Sequence, residues 1–205
     1  MDIYFVRHGE SVGNASKRHQ PSHTRLSSLG TLQAKAVGKE LVALRPTHFI
    51  SSSQVRAVET AEHIAQSLQM IPETEPVFVE LNRPASMYGW HHRSPRSLWY
   101  LVLWYLEIVG HPDNPEAGES YLALRTRVRA AQELLVTYPG NAKIVIVSHS
   151  VFINMFVAHM NHSGRLSLFQ ALRTIIKVLH TKNTSVTHIR CTKADDDTIL
   201  WQQVV

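Results

Sequence analysis

Apolar positions along this chain come in short blocks separated by polar loops, and the period of each block predicts an element. Ile3, Tyr4, Phe5 and Val6 form an apolar run rich in β-branched and aromatic side chains. The run stops abruptly at Arg7-His8-Gly9-Glu10-Ser11, as a buried strand feeding a loop would. Over residues 28–44, Leu29, Leu32, Ala36, Val37, Leu41 and Leu44 recur at helical spacing, with Ser27 or Ser28 as N-cap and Pro46 just past the end. Phe49 and Ile50 predict a brief strand into Ser51-Ser52-Ser53. Val55, Val58, Ala61, Ile64, Ala65 and Leu68 then mark a second helix, closed off by Pro72 and Pro76.

Val77-Phe78-Val79 reads as a further short strand leading to Glu80, and residues 82–95 have the Gly, Pro, Asn and His content of an irregular loop. Residues 94–109 predict a helix that is apolar nearly all round. His111-Pro112-Asp113-Asn114-Pro115 interrupts the chain after it, and residues 119–138 predict a long amphipathic helix. Ile144-Val145-Ile146-Val147 is a continuous β-branched run suited to the middle of a parallel sheet, and it ends at Ser148-His149-Ser150. A helix over 151–160 follows, with strands expected at 175–179, 185–190 and 198–204. This alternation predicts one domain over residues 1–205: an α/β fold, a three-layer α/β/α sandwich with a mostly parallel central sheet and a small helical cap insert at about 82–118.

Composition narrows the class. The 205 residues are 44% hydrophobic and 18% charged, enough apolar surface for a large core and too much for a disordered chain. The single cysteine, Cys191, rules out an internal disulfide scaffold and points to a reducing compartment. The N-terminus lacks the basic and long apolar regions of a signal segment, so a cytoplasmic location is expected. The most apolar window, 98–109, falls short of the ~20 residues of a membrane helix. Lys and Arg exceed Asp and Glu by 21 − 16 = 5, but the basic residues are scattered. Arg165, Arg173, Lys177, Lys182, Arg190 and Lys193 read as a solvated surface, and no nucleic-acid partner is expected.

The chemistry gathers at strand ends, where parallel α/β sheets bind ligands. His8 and His149 each follow an apolar strand, Arg7 precedes His8, Arg56 lies in the first turn of a helix, and Glu80 ends the fourth expected strand. Two Arg forks match phosphate oxygens, a neutral imidazole can attack phosphorus, and a carboxylic acid can protonate a leaving alkoxide. Glu80 needs a raised pKa for that task, expected from burial near the apolar insert. His19, His23, His91, His92 and His111 have no spacing that sets a metal coordination shell, so no metal is expected.

These residues resemble a known family. Arg7-His8-Gly9-Glu10-Ser11 with Asn14 is similar to the RHGxSxxN signature of the histidine phosphatase superfamily, the phosphoglycerate-mutase-like branch 1. Leu26-Ser27-Ser28-Leu29-Gly30 with Gln33-Ala34 resembles its LTxxGxxQA segment, and Ser52-Ser53-Gln54-Val55-Arg56-Ala57 with Thr60-Ala61 its SPLxRAxxTA segment. Gly118-Glu119-Ser120 resembles the GES that opens a later helix, Val147-Ser148-His149 the second-histidine strand, and residues 183–189 the late strand. The resemblance implies a phosphohistidine on His8, a phosphate pocket of Arg7, Arg56 and His149 supported by Ser11, Asn14 and Ser150, Glu80 as proton donor, and no metal cofactor. Ser53 and Gln54 stand where the family has Pro and Leu, and Ser150 where Gly is common. The stretch after Glu80 lacks the usual glycine-tryptophan pattern, which leaves Glu10 and Glu119 as alternative acids.

The implied activity is a metal-independent phosphomonoesterase acting on a small phosphorylated metabolite or a phosphoprotein. A phosphoglycerate-type mutase and a catalytically silent phosphate-binding module are the alternatives. Mutases of the family carry a longer insert between the acid and the second histidine, and 149 − 80 = 69 residues resembles the shorter phosphatase version. The aromatic insert, with Trp90, Trp99, Tyr100, Trp104 and Tyr105, suits a cap core, an apolar substrate moiety or a homodimer contact.

Overall fold

In the computed structural model, which describes residues 1–110, 115–194 and 198–204, a six-stranded sheet carries helices on both faces. The elements are β1 (Asp2–Arg7), α1 (Val12–Ala15), α2 (Ser28–Leu41), β2 (His48–Ser51), α3 (Val55–Leu68), β3 (Glu73–Thr74), α4 (Pro95–Tyr105), α5 (Tyr121–Leu135), β4 (Lys143–Ser148), α6 (Ser150–His159), α7 (Leu168–His180), β5 (Val186–Lys193) and β6 (Ile199–Val204). The strand order is β3-β2-β4-β1-β5-β6. The first four are mutually parallel, and β5 alone runs against them, antiparallel to both β1 and β6, so the sheet is mostly parallel.

Strand alternation builds the three layers. Ile3 and Phe5 of β1, with Ile144 and Ile146 of β4, point to one side and pack with Leu124 and Val128 of α5 and Phe152 and Phe156 of α6. Tyr4, Val6, Val145 and Val147 point to the other and meet Val37 and Leu41 of α2 and Ala57, Ala61 and Ile64 of α3. Both central strands are apolar on both faces because both faces are covered, which is why their sequence reads as a continuous apolar run.

Three expected elements differ. Residues 77–79 are not a strand: Pro76–Phe78 is a single 3-10 turn, and the two-residue β3 pairs with β2 ahead of it. Pro76 has no N–H to give to a ladder, and Phe78 is buried by packing between Phe5 and Phe152 rather than by pairing. Residues 175–179 lie inside α7, not in a strand. A short apolar run fits either period, and Ser167 decides between them by accepting from Gln170 N while the Gln170 side chain accepts from Ser167 N. The insert helix α4 stops at Tyr105, and its apolar surface is only partly covered: Tyr100 and Trp104 are buried, whereas Trp99 and Val102 are exposed. The interruption expected at residues 111–114 lies outside the described residues. Among the described residues no helix is long and apolar enough to cross a membrane.

Candidate active site

Register brings the two histidines together. β1 and β4 are hydrogen-bonded neighbours with Arg7 opposite Ser148, so the next residue of each, His8 and His149, emerges at the same sheet edge. Their ring centroids are 5.1 Å apart. Both rings are buried. Burial, followed by the charges of Arg56 and Arg7, pulls His8 well below the usual imidazole value, and burial with Arg56 does the same to His149.

The tautomer of His8 follows from its contacts. Nδ1 lies 2.7 Å from the carbonyl oxygen of Gly9 and must donate to it, which leaves the lone pair on Nε2. That lone pair accepts from Arg56 Nε at 3.2 Å. The loop that holds His8 is tied from several sides: Gly9 N donates to Thr60 Oγ1 at 3.0 Å, and Asn183 Nδ2 donates to the His8 carbonyl at 3.0 Å and to Asn14 Oδ1 at 3.1 Å. Gly30 allows α2 to close on this loop, since a Cβ there would sit 2.0 Å from the Glu10 carbonyl oxygen.

A cavity of about 210 Å³ opens here, and Arg7, His8, Asn14, Arg56, Glu80 and Ser150 all line it. Arg56 is buried, and burial lowers it to about 10, so it stays a cation at neutral pH. Arg7 donates through Nη1 to the Thr181 carbonyl, while its Nε is buried without a partner. His149 and Ser11 do not line the cavity. The His149 Nε2 is 2.8 Å from Ser52 Oγ, and its buried Nδ1 has no partner. Ser11 caps α1: Oγ accepts from Asn14 N at 3.2 Å and donates to Gln20 Oε1 at 2.7 Å, so its hydroxyl is used within the loop.

Glu80 meets a set of backbone donors. Its Oε1 accepts from Leu81 N and Phe152 N at 3.0 and 3.2 Å, and its Oε2 from Val151 N at 3.3 Å. The carboxyl therefore lies on the N-terminus of α6 amid backbone donors, in the same cavity as Tyr100, Leu101 and Trp104 of the insert. The two alternative acids are elsewhere. Glu10 accepts from Ser27 Oγ at the start of α2, and Glu119 is paired with Arg127; neither lines the cavity.

Four further residues take places at the site that the sequence did not assign to them. Arg83 lines the cavity with its Nε buried and unpartnered, a third cation beside Arg7 and Arg56. Ser52 fixes the ring of His149 from behind, and its signal was the Ser51-Ser52-Ser53 run at the end of β2. His19 and His92 line the cavity with centroids 4.7 Å apart, and His19 Nε2 is 3.1 Å from Ser97 Oγ. They meet because the insert is sewn to the β1 loop: His19 N donates to Trp90 O and His92 N to Lys17 O, each at 2.9 Å. Among the described residues no three His, Cys, Asp or Glu side chains converge as a metal would require.

A model of the histidine phosphatase superfamily (branch 1) matches residues 3–203. The chain belongs to that superfamily. This histidine phosphatase is 31% identical over 167 residues to the probable phosphoglycerate mutase GpmB of Proteus mirabilis, covering 77% of the chain and 74% of that protein. It is 32% identical over 162 residues to the protein of the same name from Erwinia tasmaniensis, with the same coverage of each. Among solved structures it is similar to a mycobacterial glucosyl-3-phosphoglycerate phosphatase complexed with VO3, at 22% identity and a TM-score of 0.75 over 100% of this chain and 97% of that one. It is also similar to a phosphoserine phosphatase of Entamoeba histolytica, at 18% identity and a TM-score of 0.71 over 98% and 94%. These two likenesses establish a shared fold.

Proposed function

We propose that this histidine phosphatase is a metal-independent phosphomonoesterase working through a phosphohistidine on His8. The observation that carries the reading is the buried, neutral His8 with its Nε2 lone pair facing Arg56 in a cavity lined by three arginines. A phosphoryl dianion entering beside Arg7, Arg56 and Arg83 exchanges water for fixed cations, and Arg56 Nε leaves His8 to bind a phosphate oxygen. His8 Nε2 attacks phosphorus, the P–O bond to the alcohol breaks, and the protonated Glu80 gives its proton to the departing oxygen. In the second half a water loses its proton to the Glu80 carboxylate and attacks the phosphohistidine. The P–N bond breaks, and inorganic phosphate leaves with His8 neutral again. The resemblance assigns His149, whose ring lies 5.1 Å from His8 with Nδ1 unpartnered, to the transferring oxygens, while Ser150 and Asn14 line the cavity itself.

The test is phosphate release from a panel of phosphomonoesters, with and without chelator, for the intact protein and for His8→Ala. Turnover that survives chelation and disappears in the variant is expected; turnover retained by His8→Ala would refute the mechanism. The names of the curated relatives favour a second reading, a mutase, in which the phosphohistidine returns its phosphoryl group to a reoriented product. Isomerisation of a phosphoglycerate without net phosphate release would establish it in place of the hydrolase.

A further inference from the structure

The cavity that holds the arginine cluster does not end there. Beyond Glu80 it continues as a lobe between α4, α6 and α7, walled by Leu101, Trp104, Met155, Ala171, Ile175 and Val178. None of the residues that these three helices contribute to the lining is charged. The polar atoms of the wall are mostly spent on the protein. Tyr105 Oη donates to Leu166 O at 2.8 Å, Trp104 Nε1 to Glu119 O at 2.9 Å, and Thr174 Oγ1 to Gln170 O at 2.8 Å. Tyr121 Oη lies 3.1 Å from both His159 Nε2 and Leu166 N. The lobe is thus presented with ring faces, methyls and methylenes. Tyr100 Oη is buried and unpartnered, and so is available to one polar atom of a ligand.

From this geometry we infer that the substrate is a phosphomonoester whose alcohol carries an extended apolar group, an aliphatic chain of several carbons lying in the lobe while its phosphate sits on Arg7, Arg56 and Arg83. The inference rests on the phosphomonoesterase reading of the same site. A small alcohol bearing a carboxylate would have to place that charge against the apolar wall, where it meets no cation, or leave the lobe empty. An alkyl chain fills it and gains from every methylene removed from water. The continuity of the two ends makes phosphate and chain parts of one ligand rather than two.

The experiment measures kcat/KM for n-alkyl phosphates from ethyl to decyl, each below its micellar concentration. In parallel, calorimetry measures the affinity of the matching n-alkyl phosphonates, which cannot be cleaved. Both quantities are expected to rise about threefold per methylene until the lobe is full. Ala171→Trp, which fills the lobe from α7, should lower kcat/KM for octyl phosphate at least ~10-fold more than for ethyl phosphate. Leu101→Asn, which places an amide on the opposite wall without adding bulk, should flatten the same series. Phosphonate affinity that does not change with chain length overturns the inference, as does a series indifferent to both variants. Chain-dependent phosphonate binding with no hydrolysis of any phosphate would instead uphold the ligand class and remove the hydrolase reading.

Discussion

Arg127 grips Glu119 with one edge of its guanidinium, Nε to Oε1 at 2.8 Å and Nη2 to Oε2 at 2.7 Å, and points Nη1 at the segment that carries Glu80. Nη1 donates to the carbonyls of Val77 and Val79 at 3.0 and 2.6 Å. Arg127 is therefore a positioning residue, one element removed from the cavity. Both side chains are mostly buried, so Arg127→Met takes the guanidinium from a carboxylate that keeps Asn82 N as a donor at 3.4 Å, removes the donor from two carbonyls, and should cost about 3 kcal/mol of stability. It should also lower kcat for alkyl phosphates while sparing an aryl phosphate with a good leaving group. Chemical denaturation and the two substrates together check this; an equal loss on both would mean a structural role alone.

Glu80 gives a sharper leaving-group signature because it is assigned to the proton itself. Glu80→Gln keeps the hydrogen bonds accepted from Leu81 N, Val151 N and Phe152 N through its single oxygen only in part, and it has no proton to transfer. Hydrolysis of alkyl phosphates should fall roughly 100-fold or more. Formation of the phosphoenzyme from p-nitrophenyl phosphate should fall far less, since that leaving group needs no acid. A uniform loss would assign the proton to another group.

The proposed nucleophile, His8, makes a pH prediction. Burial and the charges of Arg56 and Arg7 hold His8 well below its usual value of 6.5, so its neutral, attacking form persists as the pH falls through 6. The acid limb of kcat/KM due to His8 should lie below the ordinary imidazole range. In Arg56→Gln, with a neighbouring cation gone, that limb should move to higher pH as activity drops. Single-turnover phosphorylation across pH 4 to 8 reads it, and an unmoved limb would count against His8 as the titrating group.

Stability should follow acid through the paired histidines of the cavity lining, His19 and His92. Burial and the charge of Arg83 pull His19 down to about 3 and His92 to about 4 in the folded protein, against 6.5 for a free imidazole. Below pH 6.5 the unfolded chain takes up protons that the folded chain refuses. The stability these groups contribute is therefore complete above pH 6.5 and is lost progressively as the pH falls toward 4. Tm measured from pH 7.5 to 4.5 should decline over that window, and His19→Gln should make the decline shallower. A Tm that holds level to pH 4.5 would show that neither ring resists protonation.

Much of the site was legible because its residues adjoin strong local patterns. Arg7 and His8 follow one apolar run and His149 another, and Arg56 sits in the first turn of a helix with an apolar stripe; all four positions could be read without knowing how the strands pair. Arg83 was not legible, since residue 83 lies in an irregular loop whose path depends on contacts between the insert and residues 17–19. Ser11 shows the converse. It stands in the signature of the site, yet its hydroxyl is consumed by Asn14 and Gln20, which only the loop geometry reveals.

The sequence by itself determined the central strands, the helices between them and the alternation that makes an α/β sandwich, with a histidine or arginine at the end of each central strand, because period and capping are local properties of the chain. Tertiary structure decided the rest. It placed β4 beside β1 so that two histidines 141 positions apart stand 5.1 Å from each other. It also set Glu80 on the amides of α6 and joined the apolar walls of α4, α6 and α7 into one lobe. Pairing order and cavity shape arise from contacts between segments far apart in the chain, and no window of sequence contains both sides of such a contact.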